Sequence, residues 1–212
     1  MQEYSFQTTI SARYLLQTPS ASGPVPLLVG FHGYGERAEN ALALLSSIPG
    51  SSGWLCCAVE ALHSFYLPDG SAGASWMTAR NREERIAENV RYVDGVIDRI
   101  KEQIAVQNRL VFLGFSQGVG MAWRAALLGR HRASALMLLG GDIPPELDLH
   151  GCTMRVHLAR GNRDRIYSQE QFEHDKARLQ HASIPFSAML FSGGHKAEGE
   201  YFSEVSEFLS AE

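Results

Sequence analysis

The chain has 212 residues, 45% hydrophobic and 20% charged, with a formal net charge of −4 and a pI near 6.1. That apolar content excludes a disordered chain, and the acidic balance offers no basic footprint for nucleic acid or an anionic membrane. No apolar run approaches the ~18 residues that span a bilayer, so no integral membrane segment is expected.

The length suits one domain over residues 1–212. The N-terminal stretch MQEYSFQTTISARYLL has no basic region followed by an apolar core, so no secretory leader is expected. Glu3–Ile10 and Ala12–Gln17 mix aromatic, β-branched and polar residues, which predicts two short antiparallel strands at a sheet edge. A turn-rich connector, TPSASGP, follows. Val25–Phe31, VPLLVGF, is a short apolar run typical of a strand buried on both faces. Trp54–Val59 is similar and holds Cys56 and Cys57; with Cys152 they make an odd set of three. That is no disulfide framework, and buried free thiols in the cytoplasm are the expectation.

Ala61–Arg80, ALHSFYLPDGSAGASWMTAR, is the longest irregular stretch, and long loops in compact domains are often functional. Next comes the clearest helix, Arg82–Gln103, with Ile86, Val90, Val93, Ile97, Ile100 and Ile104 at spacings of four and three. Asn81 followed by Glu84 is expected to cap it, and Ser168 followed by Gln171 to cap a later helix. Leu110–Phe115, Ala135–Leu139, Arg155–Ala159 and Phe186–Phe191 are further buried-strand runs. Phe202, Val205, Phe208 and Leu209 give the last helix its inner face. Strands alternating with helices imply an α/β fold: a three-layer α/β/α sandwich with a mostly parallel sheet and an antiparallel N-terminal edge. Ligands bind such sheets at the carboxyl ends of the strands.

Gly114-Phe115-Ser116-Gln117-Gly118 joins an apolar strand directly to an apolar helical run. In that context Gly-x-Ser-x-Gly forms a sharp turn that displays the serine as a nucleophile. A hydroxyl needs a base to attack a carbonyl. Of eight histidines, His195 sits just beyond the last strand, in FSGGH, where a base must stand to meet Ser116. His32 also ends a strand, but it precedes the serine in the chain and is read as bracing its loop. The base needs an acid to fix its tautomer. Asp164, in RGNRD after the Arg155–Ala159 strand, is favoured; Asp142, in GGDIPP, is the fallback, and Asp148 and Asp175 have weaker contexts. His32-Gly33-Tyr34-Gly35 follows the Val25–Phe31 strand, and its glycines let backbone amides approach a substrate. The backbone N–H groups of Tyr34 and Gln117 are therefore assigned as donors to a developing oxyanion. No histidine pair has metal-ligand spacing, and neither GxxxxGK[ST] nor GxGxxG occurs, so neither metal nor cofactor is expected.

With these residues in place, the chain resembles the phospholipase/carboxylesterase family of α/β-hydrolases, the group that includes the acyl-protein thioesterases. The matching pieces are FHGYGE (Phe31–Glu36), GFSQG (Gly114–Gly118), RGNRD (Arg160–Asp164) and SGGHKAE (Ser192–Glu198), in the family's order. The resemblance implies an α/β-hydrolase fold and a Ser–Asp–His triad falling on Ser116, Asp164 and His195, with oxyanion donors at Tyr34 and Gln117. Ala74-Ser75-Trp76 is similar to the family's Ser-Trp element, which implies that Trp76 lines the substrate groove; core packing is the equal alternative. Two departures stand out: Val119 where a second glycine is common, and Arg165-Ile166-Tyr167 where small or β-branched residues and proline usually follow the aspartate.

The chain has no room for a large cap domain. An open groove is expected between the Ala61–Arg80 and Gly141–Pro145 loops, lined by His63, Phe65, Trp76, Asp142 and Ile143. Hydrolysis of small or short-chain acyl esters through an acyl-enzyme is the expected activity, on a small-molecule ester or thioester. An acyl-protein thioesterase or lysophospholipase would share every catalytic residue, and a non-catalytic binding module on a hydrolase fold is the alternative from another class. An apolar groove near Phe65, Tyr66 and Trp76 would bind lipid or pack on a second subunit, so monomer and homodimer both stay open.

Overall fold

The computed structural model describes residues 1–212 except 3, 5, 7, 21, 79 and 212. The apolar runs become strands and the runs of 3.6-residue period become helices. In chain order the strands are β1 (Tyr14–Gln17), β2 (Val25–Phe31), β3 (Leu55–Val59), β4 (His63–Tyr66), β5 (Ala72–Ser75), β6 (Val106–Phe115), β7 (Ala135–Leu139), β8 (Arg155–Gly161) and β9 (Phe186–Phe191). The helices are α1 (Ala38–Ser46), α2 (Arg82–Gln103), α3 (Gln117–Leu128), α4 (Gln169–His181) and α5 (Tyr201–Ser210).

Seven strands form one sheet in the order β1-β3-β2-β6-β7-β8-β9. Only β1 runs antiparallel, against β3, with Tyr14 opposite Val59 and Gln17 opposite Cys56; every other pair in the sheet is parallel. Side chains alternate between the two faces of a strand. Leu27, Val29 and Phe31 of β2 and Phe112 of β6 therefore join Val93, Ile97, Met121, Trp123 and Phe172 from α2, α3 and α4. Leu28, Val111 and Leu113 face the other way, onto Leu45 of α1 and Tyr201, Val205 and Leu209 of α5. The result is a three-layer sandwich with no large cap domain. From β2 the chain turns to β3 on one side and later resumes at β6 on the other. That reversal opens a crevice at the carboxyl ends of β2 and β6, where such sheets bind ligands.

Four expectations change. Within Glu3–Ile10, residues 3, 5 and 7 lie outside the described residues, and the described remainder forms no strand. Tyr4 and Phe6 are 84% and 93% exposed, and the edge position beside β3 goes to β1 instead. Ala61–Arg80 is not irregular throughout, because β4 and β5 pair as an antiparallel hairpin with His63 opposite Ser75. Asn81 precedes α2 in a left-handed conformation (φ 53°, ψ 47°) and its side chain caps nothing. β6 starts at Val106, upstream of its apolar run, because Val25 of β2 pairs with that residue. The Ser168–Gln171 box does form: Gln171 N donates to Ser168 Oγ at 3.1 Å and Ser168 N to Gln171 Oε1 at 2.9 Å.

Candidate active site

The turn between β6 and α3 holds Ser116 at φ 53° and ψ −121°, a region that costs a non-glycine residue strain energy. Its neighbours explain the two glycines. A Cβ at Gly114 would lie 2.5 Å from the Gly118 carbonyl oxygen, and one at Gly118 would run into the carbonyl of Phe31. The Ser116 amide is tied to Leu139 O of β7 at 2.8 Å, which leaves the side chain projecting from the crest of the turn.

His195 stands in the loop between β9 and α5. Its Nε2 is 2.9 Å from Ser116 Oγ and its Nδ1 is 2.7 Å from Asp164 Oδ2. A carboxylate only accepts, so Nδ1 carries the proton and Nε2 presents a lone pair to the hydroxyl. Asp164 is 5% exposed and fully used. Its Oδ1 accepts from the amides of Ile166 at 2.8 Å and Tyr167 at 3.0 Å, which turns Oδ2 toward the imidazole. Arg160, buried at the end of β8, donates to Tyr167 O at 2.6 Å, Asp164 O at 2.9 Å and Gln169 Oε1 at 3.1 Å. That arginine ties down the acid's turn, and sequence reasoning missed its role; its position in RGNRD, at the end of an apolar strand, was the available signal. The histidine loop is held by Gly194 N on Glu198 Oε1 (2.8 Å) and by Arg163 N on Gly193 O (2.8 Å).

On the other side of Ser116 lies the loop after β2. His32 is fully buried; its Nδ1 donates to Gly33 O at 2.7 Å and its Nε2 accepts from Ala61 N at 3.0 Å. Burial lowers its pKa, so the ring is neutral and braces the loop, with no nitrogen left to act as a base. Gly33 N donates to Glu36 Oε2 at 2.8 Å. Among the described residues the next amide, that of Tyr34, has no protein acceptor. Gln117 opens α3, so its amide is one of those a helix leaves without an intrahelical acceptor.

The groove residues separate. Tyr34 is 62% exposed and its ring lies 5.1 Å from that of Phe65, so these two rings form one wall. His63 is half-buried on β4, with Nε2 unpartnered among the described residues and a pKa lowered first by burial. Trp76 does not line a groove: it has no exposed surface, packs edge-on to Phe31 at 5.5 Å and donates Nε1 to His32 O at 2.9 Å. The core alternative holds, because the hairpin folds the tryptophan under the β2 loop. Asp142 is exposed, while Ile143 is 2% exposed with its amide on Asp175 Oδ2 at 3.1 Å. Both line a cavity of about 310 Å³ beside α4 that neither Ser116 nor His195 lines. Asp175 is itself buried under the Tyr167 hydroxyl (2.8 Å), and burial raises its pKa. Asp164, not Asp142, meets His195.

Among the described residues, no group of three or more His, Cys, Asp or Glu side chains is placed to hold a metal ion, and no helix is long and apolar enough to cross a membrane.

The family model described as phospholipase/carboxylesterase matches residues 19–212. A Bacillus cereus carboxylesterase superposes with a TM-score of 0.76 at 20% identity, over 94% of each chain. A Zea mays acyl-protein thioesterase 2 gives 0.71 at 17% identity, over 95% of this chain and 99% of that one. A phospholipase/carboxylesterase from Dyadobacter fermentans gives 0.72 at 16%, over 96% and 99%. At such identities these likenesses speak for the fold. No curated protein matches the sequence.

Proposed function

This chain belongs to the phospholipase/carboxylesterase family of hydrolases, and we propose that within it the chain is a serine carboxylesterase for small or short-chain acyl esters. One observation carries the reading: Ser116 Oγ, the His195 ring and the Asp164 carboxylate lie in one hydrogen-bonded line at 2.9 and 2.7 Å. His195 Nε2 takes the proton of Ser116 as Oγ bonds to the ester carbonyl carbon. The carbonyl oxygen becomes an oxyanion and takes hydrogen bonds from the amides of Tyr34 and Gln117. Asp164 stabilises the imidazolium. His195 then hands its proton to the departing alcohol as the carbon–oxygen bond breaks, leaving an acyl-Ser116. Water repeats the sequence: His195 takes its proton, hydroxide adds to the acyl carbon, and Ser116 leaves with the proton returned.

An acyl-protein thioesterase or lysophospholipase is the second reading, favoured by the apolar wall of exposed Tyr34 and half-buried Phe65, which suits a longer acyl chain. We place the chain in the cytoplasm as a single domain, where Cys56 and Cys57 stay reduced; burial raises the Cys56 thiol to about 11 and makes it unreactive. Intact mass after incubation with a phosphonate serine-hydrolase probe tests the mechanism. Wild type gains one adduct and Ser116→Ala gains none. Loss of turnover in Ser116→Ala accompanies it, with the fold unchanged by circular dichroism. Undiminished ester turnover in that variant would refute the assignment. Oxyester and thioester turnover at matched acyl length then separates the two readings.

A further inference from the structure

The two amides of the proposed oxyanion hole come from different loops, one after β2 and one after β6. Their separation must be held to a fraction of an ångström for both to reach one oxygen. We propose that the Ala74–Trp76 segment is the bracket that sets this separation, with the Gln117 side chain and the Trp76 indole as its two latches; the inference rests on the functional reading above.

Direct hydrogen bonds hold the bracket on both sides. Trp76 N donates to Gln117 Oε1 at 2.9 Å. A backbone N–H can only donate, which fixes which end of the Gln117 amide is oxygen. The nitrogen end, Nε2, then donates to Ser75 Oγ at 3.1 Å; the hydroxyl proton goes to Met77 O at 2.8 Å, with Gln117 Oε1 a longer acceptor at 3.2 Å. These contacts fasten the segment to the residue directly after Ser116. The opposite latch reaches the β2 loop: Trp76 Nε1 donates to His32 O at 2.9 Å, two residues before Tyr34. A short ladder adds to it, with Gly35 N on Ala74 O at 3.0 Å and Ala74 N on Glu36 O at 3.0 Å. Tyr34 is thus held between two tied points. Behind the bracket, fully buried Asn89 of α2 donates Nδ2 to Trp76 O at 2.8 Å. Neither Gln117's side chain nor Trp76 touches the reacting atoms in this scheme; both are positioning residues.

Positioning of oxyanion donors acts on the transition state, so it moves kcat and leaves KM in place. Gln117→Met keeps the length of the side chain and the backbone amide but removes both latching bonds. Losing an oxyanion donor outright costs about 10²–10³ in kcat, so misplacing one should cost about 10- to 100-fold. KM for a short-chain ester should stay within about twofold, and an alkylboronic acid, which mimics the tetrahedral adduct, should bind weaker by the same factor as kcat/KM falls. Trp76→Phe drops the bond to His32 O together with part of a buried ring; its cost in kcat and that of Gln117→Met should combine to less than their product, because both latches set one distance, whereas its cost in stability should not. Should Gln117→Met fail to fold, Ser75→Ala keeps the Trp76 N bond to Gln117 Oε1, removes the hydroxyl that meets Gln117 Nε2 and Met77 O, and is read by the same parallel loss. A change in melting temperature with kcat and boronate affinity intact overturns the bracket, as does a rise in KM alone. Turnover that depends on Ser116 but ignores Gln117→Met overturns the bracket and spares the functional reading. Turnover that survives Ser116→Ala overturns both.

Discussion

The two sides of Ser116 are built by opposite means. On the acid–base side, each residue is fixed largely by its own neighbours in the chain: Asp164 accepts from Ile166 and Tyr167, Arg160 reaches four and seven residues ahead, and Gly194 is tied to Glu198. On the proposed oxyanion side the ties are long-range, with Gln117 meeting Ser75 and Trp76 from 42 and 41 positions away and Trp76 meeting His32 across 44. Local hydrogen bonds form at small entropic cost and leave short motifs in the sequence. Distant ones need the β4–β5 hairpin in place, and although Ala74-Ser75-Trp76 and GFSQG are motifs, neither names the other as its partner.

The proposed mechanism and this contrast fail or sharpen together in a series of experiments. Asp164→Asn keeps the local turn through Oδ1 but no longer fixes the His195 tautomer, so kcat should fall by about 10³-fold or more with an unchanged melting temperature. An effect below tenfold would show that the acid side does not act as a unit. Trp76→Ala should destabilise the protein by about 3–5 kcal/mol, because it empties a core site rather than a groove wall. Urea denaturation measures it; a large KM effect with full stability would return Trp76 to the groove.

His157 on β8 checks whether the local side is independent of the packing beneath it. Its ring is fully buried beside Phe208 and Tyr201, with Glu204 Oε1 at 3.6 Å, and burial pushes its pKa down to about 4. At pH 7 the imidazole is therefore neutral and the Glu204 contact is not an ion pair. The unfolded chain binds a proton near pH 6.5 and the folded chain only near 4. Stability from this group is full above pH 6.5, falls as pH drops between the two values, and is lower by about 3 kcal/mol below pH 4. The variant His157→Leu should flatten the pH dependence in that window relative to wild type. Identical slopes would mean the histidine is not the group that titrates. The smallest effect is expected from Ser168→Ala, which removes the cap of α4 just after the acid's turn and should cost about 1 kcal/mol, with kcat unaltered. A loss of kcat there would show that the Asp164 turn leans on α4.

Much of the fold was legible because period and burial agree. Arg82–Gln103 is the length of α2, and Val25–Phe31 and Ala135–Leu139 are β2 and β7, buried throughout; Phe186–Phe191 is β9, but as the sheet's edge strand it leaves Ser187, Ala188 and Leu190 exposed rather than buried on both faces. The β4–β5 hairpin was not, because PDGSAGAS shows turn residues without alternating apolar ones. Neither was the course of Glu3–Ile10, where aromatic residues suggested a strand but Tyr4 and Phe6 are exposed and no described residue of the stretch pairs with the sheet. In the candidate site, Ser116 was named from its glycine spacing between strand and helix, Asp164 and His195 from strand-end positions and chain order, and His32, read as a loop brace, has both ring nitrogens engaged with its own loop and Ala61. Asp142 and Trp76 show the limit: each stands where a motif allowed two roles, and only burial and distance chose between them.

By itself the sequence determined the alternation of strand and helix, the sharp turn at Ser116 and the residues free to act beside it, because periodicity, glycine spacing and local turns are properties of neighbouring residues. Only the tertiary structure decided that Trp76 lies under the β2 loop, that the Gln117 side chain grips Ser75 and Trp76, and that Asp142 and Ile143 line a cavity beside α4 rather than one with Ser116. Those outcomes depend on which strands lie side by side, and sheet order is settled by packing two faces of one core at once, not by any stretch of chain read alone.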